Sequence, residues 1–221
     1  MYLLVTARKS ISSMQLAKKI GVTQKSAWFM LQRLREACGN DPKVLQGIIE
    51  VDETHVGRLE RNKHSNKKLR MGRGSVGKTT VIGMRERGGR MKAKVLEQVN
   101  KQTMQAAVLE TVATGSKIQT DDHAGYIGLE DHFYHNTVSH RAGEYARMGV
   151  TTNGIESVWA VLKRGMHGVY HHASPKHLNR YVQEFAFRLT DGNVKRHTLE
   201  RLDSFIAAIS GRRLTYARLT A

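Results

Sequence analysis

Three carboxylates in three different local settings are the residues of this chain best suited to chemistry: Asp52 in GIIEVDETHVG, Asp121 in GSKIQTDDHAGY and Glu156 in TTNGIESVWAVLKRG. The first two each close an apolar, β-branched run, and the third opens an amphipathic helical pattern. Acids brought by separate elements to one sheet edge suit two-metal chemistry on a phosphodiester, because each Mg²⁺ ion needs anionic oxygen ligands and must bridge protein and phosphate. Taken singly, each acid says less. An Asp at a strand end is more often a turn former than a ligand. Asn153 followed three residues later by Glu156 is close to a capping box, which would make that acid a structural cap. Asp121 and Asp122 are adjacent, so strand alternation points them to opposite faces and one at most is expected to be a direct ligand. Glu50 and Glu53 raise the same question beside Asp52.

Holding such acids requires a sheet with a helix against it. From about 46 to 138 the signals are mostly strands: GIIEVDETHV, TTVIGMRER and MKAKVLEQV read as a three-strand meander, a helix follows over roughly 101–113, and SKIQTD is a short strand. A helix over about 153–166 carries Glu156. A later one begins at Ser174 with Pro175 in its first turn and bears Leu178, Tyr181, Val182, Phe185 and Leu189. The last, over about 195–210, bears Leu199, Leu202, Phe205, Ile206 and Ile209, and both stripes read as core packing. Ahead of the strands, residues 11–37 read as two short helices joined at Gly21. Ser12 or Ser13 caps the first, Thr23 caps the second, and Ala27, Met30, Leu31 and Leu34 make an apolar stripe. This is a helix-turn-helix pattern, with an ordinary helical hairpin as the alternative. In the DNA-binding reading, Thr23, Gln24, Lys25 and Trp28 lie near the start of a recognition helix. Asn40, Asp41 and Pro42 form a turn-like linker.

Charge points the same way. The chain has 36 Lys+Arg against 19 Asp+Glu, a formal charge of +17, which implies a polyanion partner. The segment RLERNKHSNKKLRMGRGSVGK concentrates that charge and cannot pack a core, so Lys67, Lys68 and Arg70 are expected to belong to an arm tracking a DNA backbone. Within it, Gly72 to Thr79 matches the P-loop pattern formally, but a P-loop needs a buried strand before it and a helix after it. Here a basic run precedes and the strand-like TTVIGM follows, so no nucleotide partner is expected. The single cysteine, Cys38, excludes an intramolecular disulfide framework and reads as a small buried residue at a helix end. Apolar runs such as VIGM and FIAAI are far shorter than a membrane span, and MYLLVTARKS lacks the pattern of a secretory signal; the expectation is a protein that stays in the cell, with no membrane partner. The groups His132, His135, His140 and His167, His171, His172 suit phosphate contacts or packing better than a metal site. His123 is the histidine expected near the acids.

The strings VDETHVG, TDDHAGY, TTNGIESVWAVLKRG and YHHASPKHLNRYVQEFAFR resemble the DDE transposases of bacterial insertion sequences, specifically the ISXO-like group, in order and over nearly the whole chain. The resemblance implies an α/β fold: a helix-turn-helix module at 1–42, a ribonuclease-H-like (retroviral-integrase-like) catalytic core at 43–190 and a helical extension at 191–221. In that core the first and fourth strands lie side by side, so Asp52 and Asp121 can share a metal, and the next helix brings Glu156 to them. It implies that Asp52, Asp121 and Glu156 are both the catalytic residues and the ligands of two Mg²⁺ ions, with Mn²⁺ able to substitute, and it selects Asp121 over Asp122. Asp122 and His123 become supporting residues. Lys163, seven residues after Glu156 and on the same helical face, falls where related transposases carry a basic residue, and would hold the phosphate of a DNA end. Trp159 on that side would stack on a frayed base or else serve as a core aromatic; Arg164 would make a general phosphate contact. The activity implied is metal-dependent cleavage and strand transfer of an insertion sequence. The partners are double-stranded DNA, as element ends and target, and further copies of the chain assembled on it, at the nucleoid of a bacterial cytoplasm. The alternative is a catalytically inactive or domesticated derivative that only binds DNA. Family members usually begin with a Cys-rich zinc-ribbon region, and this chain opens immediately before the helix-turn-helix. The expectation is that this region is absent and that terminal repeats are poorly discriminated.

Overall fold

The computed structural model describes residues 1–7, 9–39, 42–57, 63–69, 75–138, 149–190, 193–211 and 213–221, the side chain of Lys67 excepted. In chain order the elements are α1 (Tyr2–Thr6), α2 (Ser13–Ile20), α3 (Gln24–Cys38), β1 (Ile48–Val56), β2 (Thr79–Glu86), β3 (Met91–Leu96), α4 (Lys101–Leu109), β4 (Lys117–Asp121), β5 (Tyr134–Val138), α5 (Asn153–Gly165), α6 (Pro175–Leu189), α7 (Thr198–Ile209) and α8 (Tyr216–Thr220). They fall into two compact units, one of residues 44–160 and one of residues 1–43 with 161–221.

In the unit of residues 44–160 the strands form one sheet in the order β3-β2-β1-β4-β5. β1, β2 and β3 are antiparallel neighbours, while β4 runs parallel to β1 and β5 parallel to β4. This mixed order is the ribonuclease-H-like arrangement. Strand alternation divides β1 between two faces. Ile49 and Val51 enter an apolar cluster with Ile82, Met84, Ile118 and the α4 residues Met104, Ala107 and Val108. Each of the Ile, Val and Met side chains, fully buried, contributes about 1.5–3 kcal/mol. Glu50 and Asp52 face the other way. The α4 helix is capped by Asn100 and ends at Leu109, earlier than the expected 113, because Thr111 and Ala113 give their backbone groups to Leu45 instead. Thr79 opens β2, so a strand stands where a P-loop needs its helix. Gly72, Arg73 and Gly74 of that match lie outside the described residues.

In the other unit, Ser12 caps α2 through a capping box with Gln15, Gly21 ends it in the left-handed conformation (φ 70°), and the Thr23 hydroxyl accepts from Ser26 N to start α3. The two expected helices and their turn are therefore present; Asn40 and Asp41 of the linker lie outside the described residues. Their inner faces join a core with Leu4, Val5, Phe187 of α6 and Phe205 of α7, so helices from both ends of the chain are packed together. The α3 stripe differs from expectation: Met30 is exposed, and Arg35 is buried among Ala27, Leu31 and Cys38. Arg35 tolerates burial because its Nε lies 2.7 Å from the Glu184 carboxylate, which is also held by Arg188 at 2.5 Å, by the Tyr170 hydroxyl at 2.9 Å and by Ser10. Removing one partner of such a buried pair typically costs about 3–5 kcal/mol. Similarly, α7 buries Arg201 and Phe205 and leaves Leu199 and Ile206 exposed. Among the described residues no helix is long and apolar enough to cross a membrane.

Candidate active site

Asp52 lies in the middle of β1, directly opposite Gly83 of β2. Its Oδ2 accepts a 2.9 Å hydrogen bond from the indole Nε1 of Trp159 on α5. The indole fits because Gly83 has no side chain: a Cβ there would stand 2.6 Å from Trp159 Cζ2 and 3.0 Å from Ile155 Cδ1. Burial, then repulsion from the neighbouring Glu53 carboxylate, pushes the Asp52 pKa up to about 7, with Asp121 adding to the rise; the backbone N–H of Glu53 and the Trp159 indole work against it. Trp159 is only 4% exposed, so its ring has no open face on which a base could stack. Of the two roles foreseen for it, the structure shows the enclosed aromatic.

The parallel β1–β4 register pairs Ile48 with Lys117 and Glu50 with Gln119. Two residues further along each strand stand Asp52 and Asp121, and the Asp121 charge adds to the rise at Asp52. The loop after β4 is shaped by Asp121 itself, whose Oδ1 accepts from His123 N at 3.1 Å. His123 in turn accepts from Gly125 N at 3.0 Å through Nδ1, and its Nε2 is 3.9 Å from Glu53. Asp122 is exposed beside them. Glu53 points to the opposite face from Asp52 and accepts a 2.6 Å hydrogen bond from the buried Tyr126 hydroxyl, whose pKa is pushed well up by burial and by that carboxylate.

Glu156 is exposed in the first turn of α5. Asn153 is the first helical residue, so the capping-box spacing seen in the sequence does not begin at a cap; Thr152, just before the helix, instead donates its hydroxyl to Glu156 Oε1 at 3.2 Å. The helix is attached to the sheet through another carboxylate of β1, that of Glu50. Glu50, 3% exposed, accepts from Ile155 N at 2.8 Å and so meets the positive end of α5. Gly154 makes this approach possible, since a Cβ there would stand 2.9 Å from Glu50 Cδ. Arg85 adds hydrogen bonds to the Gly154 carbonyl and, at 3.2 Å, to Ser157. Arg87 lies 3.5 Å from Glu50 and donates to Gln119 at 2.5 Å. Glu50 and Asp52 are two apart on β1, Ile155 and Trp159 four apart on α5; the two bonds therefore join one strand face to one helix face. Glu50 and Gly83 carried only weak sequence signals: a polar residue and a glycine at inward strand positions.

The structure thus brings Asp52 and Asp121 together and leaves Glu156 bonded to Thr152. Among the described residues no three His, Cys, Asp or Glu side chains are grouped closely enough to hold an ion. The pair itself suits a hard divalent cation, since it offers oxygen donors alone and a cation would offset the negative charge that raises the Asp52 pKa. Lys163 and Arg164 are exposed in the last turn of α5. At the start of α3, Gln24 donates to Ser13 Oγ at 2.8 Å, and Lys25 Nζ lies 4.9 Å above the Tyr216 ring. Lys68 is exposed, Lys67 closes a short 3₁₀ turn, and Arg70 and His140 lie outside the described residues.

A family model described as the ISXO2-like transposase domain matches residues 44–190. Comparison with curated proteins returned no match. Among solved structures the chain is similar to the HTLV-2 integrase catalytic core domain in complex with magnesium, at 12% identity and a TM-score of 0.42, covering 72% of this chain and 98% of that one. It is also similar to a chain of the simian T-cell lymphotropic virus intasome in complex with the PP2A regulatory subunit B56 gamma (14% identity, TM-score 0.39, 97% and 74% covered) and to one of a pre-cleavage Mos1 transpososome (11%, 0.31, 96% and 78%).

Proposed function

Because the chain belongs to the ISXO2-like transposase family, we propose that it cleaves the ends of an insertion sequence and joins them to target DNA in a Mg²⁺-dependent reaction. The observation that supports this reading best is that Asp52 and Asp121 stand on neighbouring parallel strands, close enough to interact electrostatically, beside a helix that carries a third carboxylate. Asp52, Asp121 and Glu156 would hold two Mg²⁺ ions, Mn²⁺ substituting, with Glu156 turning from Thr152 to do so. When bound, such ions supply Lewis acidity for an in-line displacement at phosphorus, acting on water in cleavage and on the freed 3′-hydroxyl in joining. The chain's own residues do the remaining work. Glu50 and Trp159 keep α5 against β1, and the Asp121 turn fixes the loop after β4. Lys163 and Arg164 receive backbone phosphate, Gln24 and Lys25 meet element ends, and the basic segment with Lys67, Lys68 and Arg70 tracks the duplex. Assembly of several copies on DNA, in the bacterial cytoplasm, belongs to the same reading.

The test is strand nicking of a duplex carrying the element's end. Asp52→Asn, Asp121→Asn and Glu156→Gln should each abolish Mg²⁺-dependent cleavage while leaving DNA binding nearly intact. If Glu156→Gln cleaves normally and merely melts earlier, that carboxylate is a structural group near the helix start. An unmodified chain that binds DNA but never cuts it, with Mg²⁺ or Mn²⁺, would favour the inactive DNA-binding derivative.

A further inference from the structure

We propose that Trp159 is a positioning residue for Asp52: its indole N–H fixes the orientation of that carboxylate for metal binding, and Gly83 exists to admit the ring. The inference rests on the reading of Asp52 as a metal ligand. Three observations carry it. The indole nitrogen is a donor only, and its hydrogen bond, 2.9 Å long, goes to Asp52 Oδ2 from a ring that is 4% exposed. A glycine interrupts the interior of β2 at the residue directly opposite Asp52, where strands ordinarily avoid it, and its missing side chain is the space the ring occupies. The donor is neutral, so it orients the carboxylate without cancelling the negative charge that a cation needs. Lysine or arginine at this position would compete with the ion. Strand, facing strand and helix thus contribute one group each, and the helix that supplies the indole also carries Glu156 three residues earlier. Groups that hydrogen-bond a ligating side chain commonly set metal affinity.

The experiment uses the full chain without DNA and titrates it with Mg²⁺ alone. Trp159→Phe keeps an aromatic ring and removes the N–H; by calorimetry it should bind Mg²⁺ about 10- to 100-fold more weakly. Gly83→Ala, which displaces the ring but leaves its N–H, should weaken binding in the same direction. A second readout does not depend on either variant folding. The chain has two tryptophans, so in a Trp28→Phe background Trp159 is the only emitter. Its fluorescence should shift on Mg²⁺ addition with the calorimetric affinity, and adding Asp52→Asn should remove the shift. Wild-type Mg²⁺ affinity in Trp159→Phe, or Mg²⁺ binding that leaves the Trp159 emission unmoved, overturns the positioning role while leaving the metal reading intact. No Mg²⁺ binding by the unmodified chain overturns the metal reading and the inference together.

Discussion

Asp52 is held where burial and the Glu53 carboxylate favour its protonated form, with a pKa near 7 in place of the ordinary value near 4. A group whose pKa is raised on folding binds more protons folded than unfolded, so it withdraws stability as pH climbs between the two values. The metal-free protein should therefore lose stability from about pH 4 to about pH 7 through this residue, and level off above. Thermal unfolding in chelator across that range checks this. Asp52→Asn should flatten the decline and raise the midpoint on the alkaline side, while Mg²⁺ should restore stability to the unmodified protein there. A midpoint in the Asn variant that follows pH as steeply as the unmodified chain's would show that another group governs the window. Asp121 lies close enough to contribute to the repulsion, and the turn it forms with His123 fixes where its carboxylate can go.

At the scale of elements, α5 is the part whose placement decides whether three acids can act together. Its start is fixed by Glu50, whose carboxylate meets the Ile155 N–H, with Arg85 and Arg87 completing the attachment. Gly154 is required by the closeness of that approach rather than by an unusual backbone, since a Cβ would press on the Glu50 carboxylate. Gly154→Ala should consequently lower unfolding stability by about 1–3 kcal/mol, the usual cost of overpacking. Because the displaced turn carries Glu156, cleavage should fall by more than DNA affinity does. Urea unfolding and nicking assays on the same preparation would show this; a variant as stable and as active as the parent would mean that the attachment is loose.

For the molecule as a whole the dominant quantity is its charge of +17. Cations that neutralise phosphates release counterions, so affinity for nonspecific duplex should fall steeply as salt rises. Neutralising Lys67, Lys68 and Arg70 together should make the log–log salt dependence shallower by roughly two to three units, about one for each phosphate that then keeps its counterion. Filter binding or anisotropy at several salt concentrations measures the slope, and an unchanged slope would remove these residues from the DNA interface. The two compact units make different use of charge. The unit of residues 1–43 and 161–221 encloses the Arg35, Glu184 and Arg188 group to fix its helices, and presents Lys25, Lys163 and Arg164 outward.

Much of the architecture was legible in the sequence because its causes are local. Apolar, β-branched runs marked β1, β2 and β4; Ser12, Gly21 and Thr23 marked the ends of α2 and the start of α3; Ser174 and Pro175 marked the start of α6. Each signal spans a few residues, within which backbone sterics and hydrogen bonding decide the conformation. The strand order was reached by resemblance to a family rather than from spacing. Only the tertiary structure decided the rest. Whether Trp159 offers its face to a base or its N–H to a carboxylate depends on Gly83, 76 positions earlier, and on the helix register that Glu50 sets. Arg35 carries a charge that an isolated helix would leave in water, and it is buried because Glu184 waits on α6. Met30, Leu199 and Ile206 fit their helical stripes yet stay exposed, since periodicity gives a face and not its partner. Such outcomes follow from desolvation and pairing between residues far apart in the chain, and those energies exist only once the elements have packed.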